Sequence, residues 1–160
     1  MKIKFLAYLL FPLILTGCAS VNSYHEPSTT GNQSLATISG SSTRGGVFAW
    51  TNTLISAIDN KPVNMLLWSN ESKIRVVPGA HLFVVDAGFN RSFSNGPYSG
   101  TVEVRAFLKP GINYRAVCKP ENEFVNVWIE DGSGQRVSDI ISGKYAATSI
   151  PVVVPIYLPG

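Results

Sequence analysis

From residue 35 onward, apolar and polar side chains alternate with a period of two. In the run 101–108, Val102, Val104, Ala106 and Leu108 fall on one side and Glu103 and Arg105 on the other, the pattern of a strand with one face in a core. The run 124–129 repeats it, with Val125, Val127 and Ile129 opposed to Phe124, Asn126 and Trp128. In 112–118, Ile112, Tyr114, Ala116 and Cys118 share a face, and Asn113 and Arg115 take the other. Shorter β-rich runs at 35–40, 47–58, 63–68, 74–77, 81–89 and 137–141 complete the series. No stretch carries the 3.6-residue period of an amphipathic helix.

Turn chemistry punctuates these runs. Asp59 and Asn60 tolerate left-handed backbone and Pro62 cannot donate to a ladder, so residues 59–62 predict a turn with a returning strand over 63–68. Pro78-Gly79 predicts a type II turn and a hairpin between 74–77 and 81–89. Lys109-Pro110-Gly111 and Asp131-Gly132-Ser133-Gly134 predict two further turns. Residues 90–98 form the longest polar interruption, the kind of loop on which binding residues often sit. About eight short strands separated in this way predict an all-β fold, a single antiparallel β-sandwich.

The N-terminal part has another character. Residues 19–34 are mostly Ser, Thr, Asn, Gly and Pro, which predicts a flexible tether with His25 solvated in it. Upstream, Met1-Lys2-Ile3-Lys4 precedes an apolar run over 5–15. That run is shorter than the roughly 20 residues a transmembrane helix needs, and Pro12 interrupts it, so it predicts an export signal. It closes in Leu15-Thr16-Gly17-Cys18, which resembles the lipobox of bacterial lipoproteins. The resemblance implies a diacylglyceryl group on the Cys18 sulfur, cleavage between Gly17 and Cys18, and acylation of the freed amine. Each buried methylene contributes ~0.8 kcal/mol, so two or three chains make a lasting anchor. Ala19, where an aspartate would imply retention at the inner membrane, implies an outer-membrane address facing the periplasm in a host with two membranes.

The chain therefore divides into a signal peptide (1–17), a lipidated tether (18–34), a sandwich domain (35–142) and an apolar tail (143–160). In the tail, Pro151, Pro155 and Pro159 recur every four residues. That spacing confines any strand to an edge or favours a polyproline-like path, docked on the domain or on a partner.

Residues 36–142 carry, in order, Ile58-Asp59-Asn60-Lys61-Pro62-Val63, Val77-Pro78-Gly79-Ala80-His81, Lys109-Pro110-Gly111-Ile112-Asn113-Tyr114 and Trp128-Ile129-Glu130-Asp131. Their order resembles a loose group of small bacterial lipoproteins whose domain is similar to PEGA-type and transthyretin-like β-sandwiches. Lys61 stands where the group's turn would carry glycine. The resemblance implies the fold and no activity, and it carries over no functional residue beyond Cys18.

Charge narrows the reading further. Without Lys2 and Lys4, 11 of the 13 basic side chains remain against 10 acidic ones, a net charge of +1. These charges are scattered singly rather than gathered into a basic stripe, which argues against nucleic acid as a partner. With Cys18 lipidated, Cys118 has no partner in the chain, and its place on an apolar strand face predicts a buried, inert thiol. His81 follows the Pro-Gly-Ala turn and predicts a rim position capping it. No H-E-x-x-H, C-x-x-C, G-x-S-x-G or Walker pattern is present. Residues 131–135 read as a plain turn rather than a calcium loop, and residues 40–46 as a loop rather than an anion cradle, since no helix follows. No catalytic, metal-binding or cofactor-binding residue is predicted.

Three tryptophans remain, Trp50, Trp68 and Trp128. They either fill the two inner faces of the sandwich or stand outside it, where a rigid ring stacks on a sugar or enters a partner's pocket. The expectation is a non-enzymatic, membrane-anchored binding or assembly module of the cell envelope, with an envelope protein or a glycan as partner. The alternative is a carbohydrate- or peptidoglycan-contacting domain that uses these aromatics.

Overall fold

The computed structural model describes residues 22–28, 34–64 and 72–148. Its elements are β1 (Ala36–Ser39), β2 (Ser41–Arg44), β3 (Trp50–Ile58), β4 (Lys61–Pro62), β5 (Ile74–Val76), β6 (Gly79–Asn90), β7 (Tyr98–Leu108), β8 (Asn113–Glu121), β9 (Phe124–Asp131), β10 (Ile141–Lys144) and β11 (Ala146–Ala147). The first sheet runs β10-β9-β8-β1-β5; the second runs β11-β7-β6-β3-β2, with β4 hydrogen-bonded to β3. The two sheets face each other as a β-sandwich.

Alternation along the strands builds the core. Phe83, Val85, Ala87 and Phe89 of β6 and Val102, Val104, Ala106 and Leu108 of β7 turn inward from the second sheet. Tyr114, Ala116, Val125, Val127 and Ile129 turn inward from the first. Each fully buried Val, Ile or Phe contributes about 1.5–3 kcal/mol relative to an exposed one. Cys118 lies among them at 8% exposure, its Sγ 3.6 Å from the Asn52 carbonyl, and burial pushes its thiol up to about 11. A thiol so placed carries almost no thiolate at neutral pH and packs as a small apolar group. Ile112 stands outside that face, since β8 begins after it and its side chain is exposed.

Several connections differ from the sequence expectation. Pro78-Gly79 does not close a hairpin: β5 pairs with β1 in the first sheet while β6 belongs to the second, so the bend carries the chain between sheets. Lys109-Pro110-Gly111 does the same between β7 and β8. Residues 40–46 include a strand, β2, antiparallel to β3. Strand 137–141 starts instead at Ile141; before it, isolated bridges Glu130↔Arg136 and Ala106↔Ser138 pin an irregular segment. Asp59 and Asn60 do form the expected tight turn, both at positive φ, and the returning strand is the short β4. Residues 65–68 of the expected 63–68 strand lie outside the described residues. One neighbour pair, β1 with β8, is parallel in an otherwise antiparallel sandwich.

The sandwich also extends past both of its expected boundaries. β10 and β11 continue it beyond residue 142, crossing from β9 in the first sheet to β7 in the second. Gly143 permits this closure, because a Cβ there would press into the Val102 side chain. On the opposite side, residues 22–28 are docked rather than free. Tyr24 N–H donates to the Pro62 carbonyl, its hydroxyl to the Arg75 carbonyl, and Glu26 pairs with Arg75 at 2.7 Å. Burial, with the Glu26 and Asp59 carboxylates behind it, pushes the Tyr24 phenol up to about 12, so it stays a donor.

One buried polar side chain ties the layers together. Thr53, fully buried on β3, donates from Oγ1 to the Ala116 carbonyl of β8 at 2.7 Å and accepts from the Ser41 N–H at 2.8 Å. Thr53→Val keeps the shape and removes both bonds, leaving buried backbone groups short of a partner. It is expected to lower stability by about 1–3 kcal/mol, whereas Thr53→Ser, which keeps the hydroxyl, costs about 1 kcal/mol. Urea midpoints at constant m-value check this; equal midpoints for wild type and Thr53→Val would show that the hydroxyl does not tie the sheets.

Candidate functional site

The β2–β3 ladder sets Ser42 opposite Asn52 and Arg44 opposite Trp50. Thr53 points inward, so by alternation these four side chains share the outer face of the second sheet. Next to them lies β6, with Asn52 opposite Gly88 and Trp50 opposite Asn90. Gly88 makes room: a Cβ there would overlap the Asn52 side-chain oxygen and come within 3.5 Å of the indole. The Asn52 amide and the Trp50 ring therefore lie over the β6 backbone, forming the floor of a groove of about 540 Å³ whose wall includes Val47 and Ala49.

The groove opens at the end of the sandwich that carries the most exposed apolar side chains. Val47 is 91% exposed, Phe48 51% and Phe93 81%, and the two phenylalanine rings meet edge to face at 5.2 Å. Phe93 belongs to the 90–98 loop, which is held firmly. Arg91 N–H donates to the Asn95 carbonyl, Tyr98 Oη to Asn95 Oδ1 at 2.6 Å, and Arg91 Nη2 to the Asn122 carbonyl and Tyr145 Oη, both at 2.8 Å. The loop's polar groups thus brace this end, and its outward offering is Phe93.

Within the groove the hydrogen-bonding groups are free. The Ser42 hydroxyl, the Arg44 guanidinium, the Trp50 Nε1–H and the Asn52 amide have no hydrogen bond or ion pair among the described residues. Trp128 is different: on the outer face of the first sheet, its Nε1–H donates to Glu130 Oε1 at 2.8 Å, and Glu130 also receives Arg115. Trp50 and Trp128 therefore sit on opposite faces of the sandwich and form no common platform. Trp68 and Cys18 lie outside the described residues. Sequence reasoning singled out Trp50 but missed Arg44, whose place opposite it depends on strand register. It also passed over the pairing of Phe48 with Phe93, although single apolar residues in polar loops were a usable signal.

A larger cavity, about 720 Å³, lies at the other end, lined in part by His81, Asp59, Arg105, Phe107 and Asp139. Here the chemistry is internal. His81 Nδ1 lies 2.7 Å from Asp59 Oδ2 and Nε2 lies 2.7 Å from the Val77 carbonyl. Both partners are acceptors, so both contacts are hydrogen bonds only when both ring nitrogens carry a proton. Burial opposes the Asp59 charge, but the Leu82 amide, His81 and Lys61 outweigh it and hold the carboxyl below its ordinary value. The cluster locks the β3–β4 turn onto β6, whereas the hairpin that His81 was expected to cap is a bend between sheets. Asp131 likewise uses its carboxylate within its own turn, accepting from Ser133 Oγ and from the Ser133 and Gln135 amides.

Set against protein-family models, curated proteins and solved structures, the chain matches none of them.

Because the folded Asp59 carboxyl titrates below its unfolded value, its contribution is fully present above the ordinary aspartate range, near pH 4, and is lost as pH falls through the lowered value. Asp59→Asn is expected to be less stable than wild type at neutral pH, with the gap narrowing below about pH 4. Urea midpoints across that range check it; a gap that stays constant would assign the bond, not the charge.

Proposed function

We propose that this chain is a lipid-anchored protein of the cell envelope whose β-sandwich is a non-enzymatic binding or assembly module. The observation that carries the reading is the Trp50 groove with its free polar groups, bordered by the exposed Val47 and Phe48 and by Phe93 in the braced 90–98 loop. Exposed aromatics on rigid loops are what interfaces use, because a fixed ring covers area at little entropic cost. A glycan is a second reading, favoured by the half-buried indole that has hydrogen-bonding groups on the same face.

The anchor and the groove fit together sterically. Three residues lie between Cys18 and Asn22, so the four Cα-to-Cα steps reach at most about 14 Å. Docking of residues 22–28 holds Tyr24 against Pro62, which is level with Ala57 and Val84. From Val84 to Asn90, β6 rises about 20 Å towards the Phe93 loop. The docked segment thus leaves the aromatic end about 20 Å along β6 from Tyr24.

Cys18→Ser is expected to accumulate as an uncleaved precursor that incorporates no labelled palmitate, while wild type is processed and recovered with outer membranes. Normal maturation and membrane retention of the variant would overturn the anchor. A photo-crosslinking residue at Phe93 should capture an envelope component in intact cells, while the same residue at Phe107, exposed at the opposite end, should not; equal capture would remove the aromatic end from the reading.

A further inference from the structure

We infer that the Trp50 groove takes an acidic glycan, with a pyranose ring laid on the indole and its carboxylate held by Arg44. This rests on the glycan reading above and names the chemistry of the ligand. The first support is the charge of the groove. Its lining holds one cation, Arg44, and no carboxylate. The cavity at the His81 end mixes both signs, with the Asp59 and Asp139 carboxylates beside Arg105 and Arg136. A guanidinium with no internal counter-ion, at the wall of a cavity, is complementary to an anion, and its planar fork fits a carboxylate with two parallel hydrogen bonds.

The second support is spacing. Arg44 and Trp50 are directly cross-strand neighbours, with Cα atoms about 4.5–5.5 Å apart, so the guanidinium-bearing side chain and the indole rise from adjacent points of the same outer face. A carboxylate carried on a sugar ring spans that interval. Ser42 and Asn52 form the next outward pair along the ladder, about 7 Å on, where a hydroxyl and an amide can meet the hydroxyl or N-acyl groups of the same or the adjoining sugar. The third support is the shape of the floor. Gly88 lets Trp50 and Asn52 lie over the backbone, and an indole so seated at the groove floor is the aromatic partner that the apolar C–H face of a pyranose would take. An acidic peptide would satisfy Arg44 but would leave this flat surface without a matching partner.

Detergent-solubilised full-length protein, titrated calorimetrically with oligogalacturonate and with its fully methyl-esterified form, tests the assignment. The two probes share a ring and differ in the carboxylate charge. The acid form is expected to bind and the ester to bind at least about tenfold more weakly. Arg44→Met should weaken the acid form by about ten- to a hundredfold and leave the ester unchanged. Trp50→Ala should remove binding of both, and Trp128→Ala should change neither. Arg44 is exposed, so an unaltered thermal unfolding curve for Arg44→Met separates a lost contact from a lost fold. Equal binding of acid and ester, dependent on Trp50, would overturn the carboxylate assignment and leave the glycan reading standing. Binding of neither sugar, with a poly-glutamate peptide bound through Arg44, would overturn the glycan reading as well. Binding of nothing would overturn the groove as a site while leaving capture at Phe93 to decide the wider proposal.

Discussion

Thr53 is the point at which the two sheets and the crossing between them meet. Its hydroxyl has one proton and two lone pairs. The proton goes to the Ala116 carbonyl of the first sheet, and the lone pairs receive the Ser41 N–H and face the Ser41 hydroxyl at 3.2 Å. Ser41 is where the chain, having left β1, enters β2 after the buried Gly40. A chain changing sheets leaves backbone groups without a ladder, and in an interior such groups must find partners. Thr53 supplies one.

That bond also fixes what the outer surface shows. Side chains alternate with a period of two, so a one-residue slip of β2 on β3 would turn Ser42 and Arg44 away from Trp50 and Asn52. β2 is a short edge strand of Ser, Ser, Thr and Arg with no apolar side chain to set its register by burial. Its register is set by the ladder and by Thr53, one residue beyond Asn52. The composition of the groove is thus a consequence of a bond in the core.

The same point explains what the sequence disclosed. Strands buried along one whole side, such as β6 to β9, announce themselves through alternation, and Val102 to Leu108 or Val125 to Ile129 were legible at once. β2 was not legible, because it is held by hydrogen bonds rather than by apolar contacts. Pro78-Gly79 and Lys109-Pro110-Gly111 were legible as bends but not as crossings between sheets, since a hairpin and a sheet-to-sheet corner use the same turn residues. Within the site, Trp50 stood out by residue type. Arg44 became significant only through its cross-strand partner, and Gly88 only through what its missing Cβ leaves room for.

The two ends of the sandwich answer the same demand for polar satisfaction in opposite ways. At the His81 end, the His81 imidazole, the Asp59 carboxylate and backbone groups close on one another, which stabilises the turns. At the Trp50 end the bracing is placed one layer back. Arg91 joins the 90–98 loop to Asn122 and Tyr145, and Phe89, Tyr98 and Tyr145 pack ring against ring at 4.8–5.4 Å behind it. The groove in front keeps its donors and acceptors towards solvent. Binding there would order few new side chains, since Trp50 already rests over Gly88 and the loop carrying Phe93 is already tied down, and a surface ordered in advance loses less entropy on contact. Rigidity in the supporting layer combined with free hydrogen-bonding groups in the outer one is the arrangement that the proposed recognition would require.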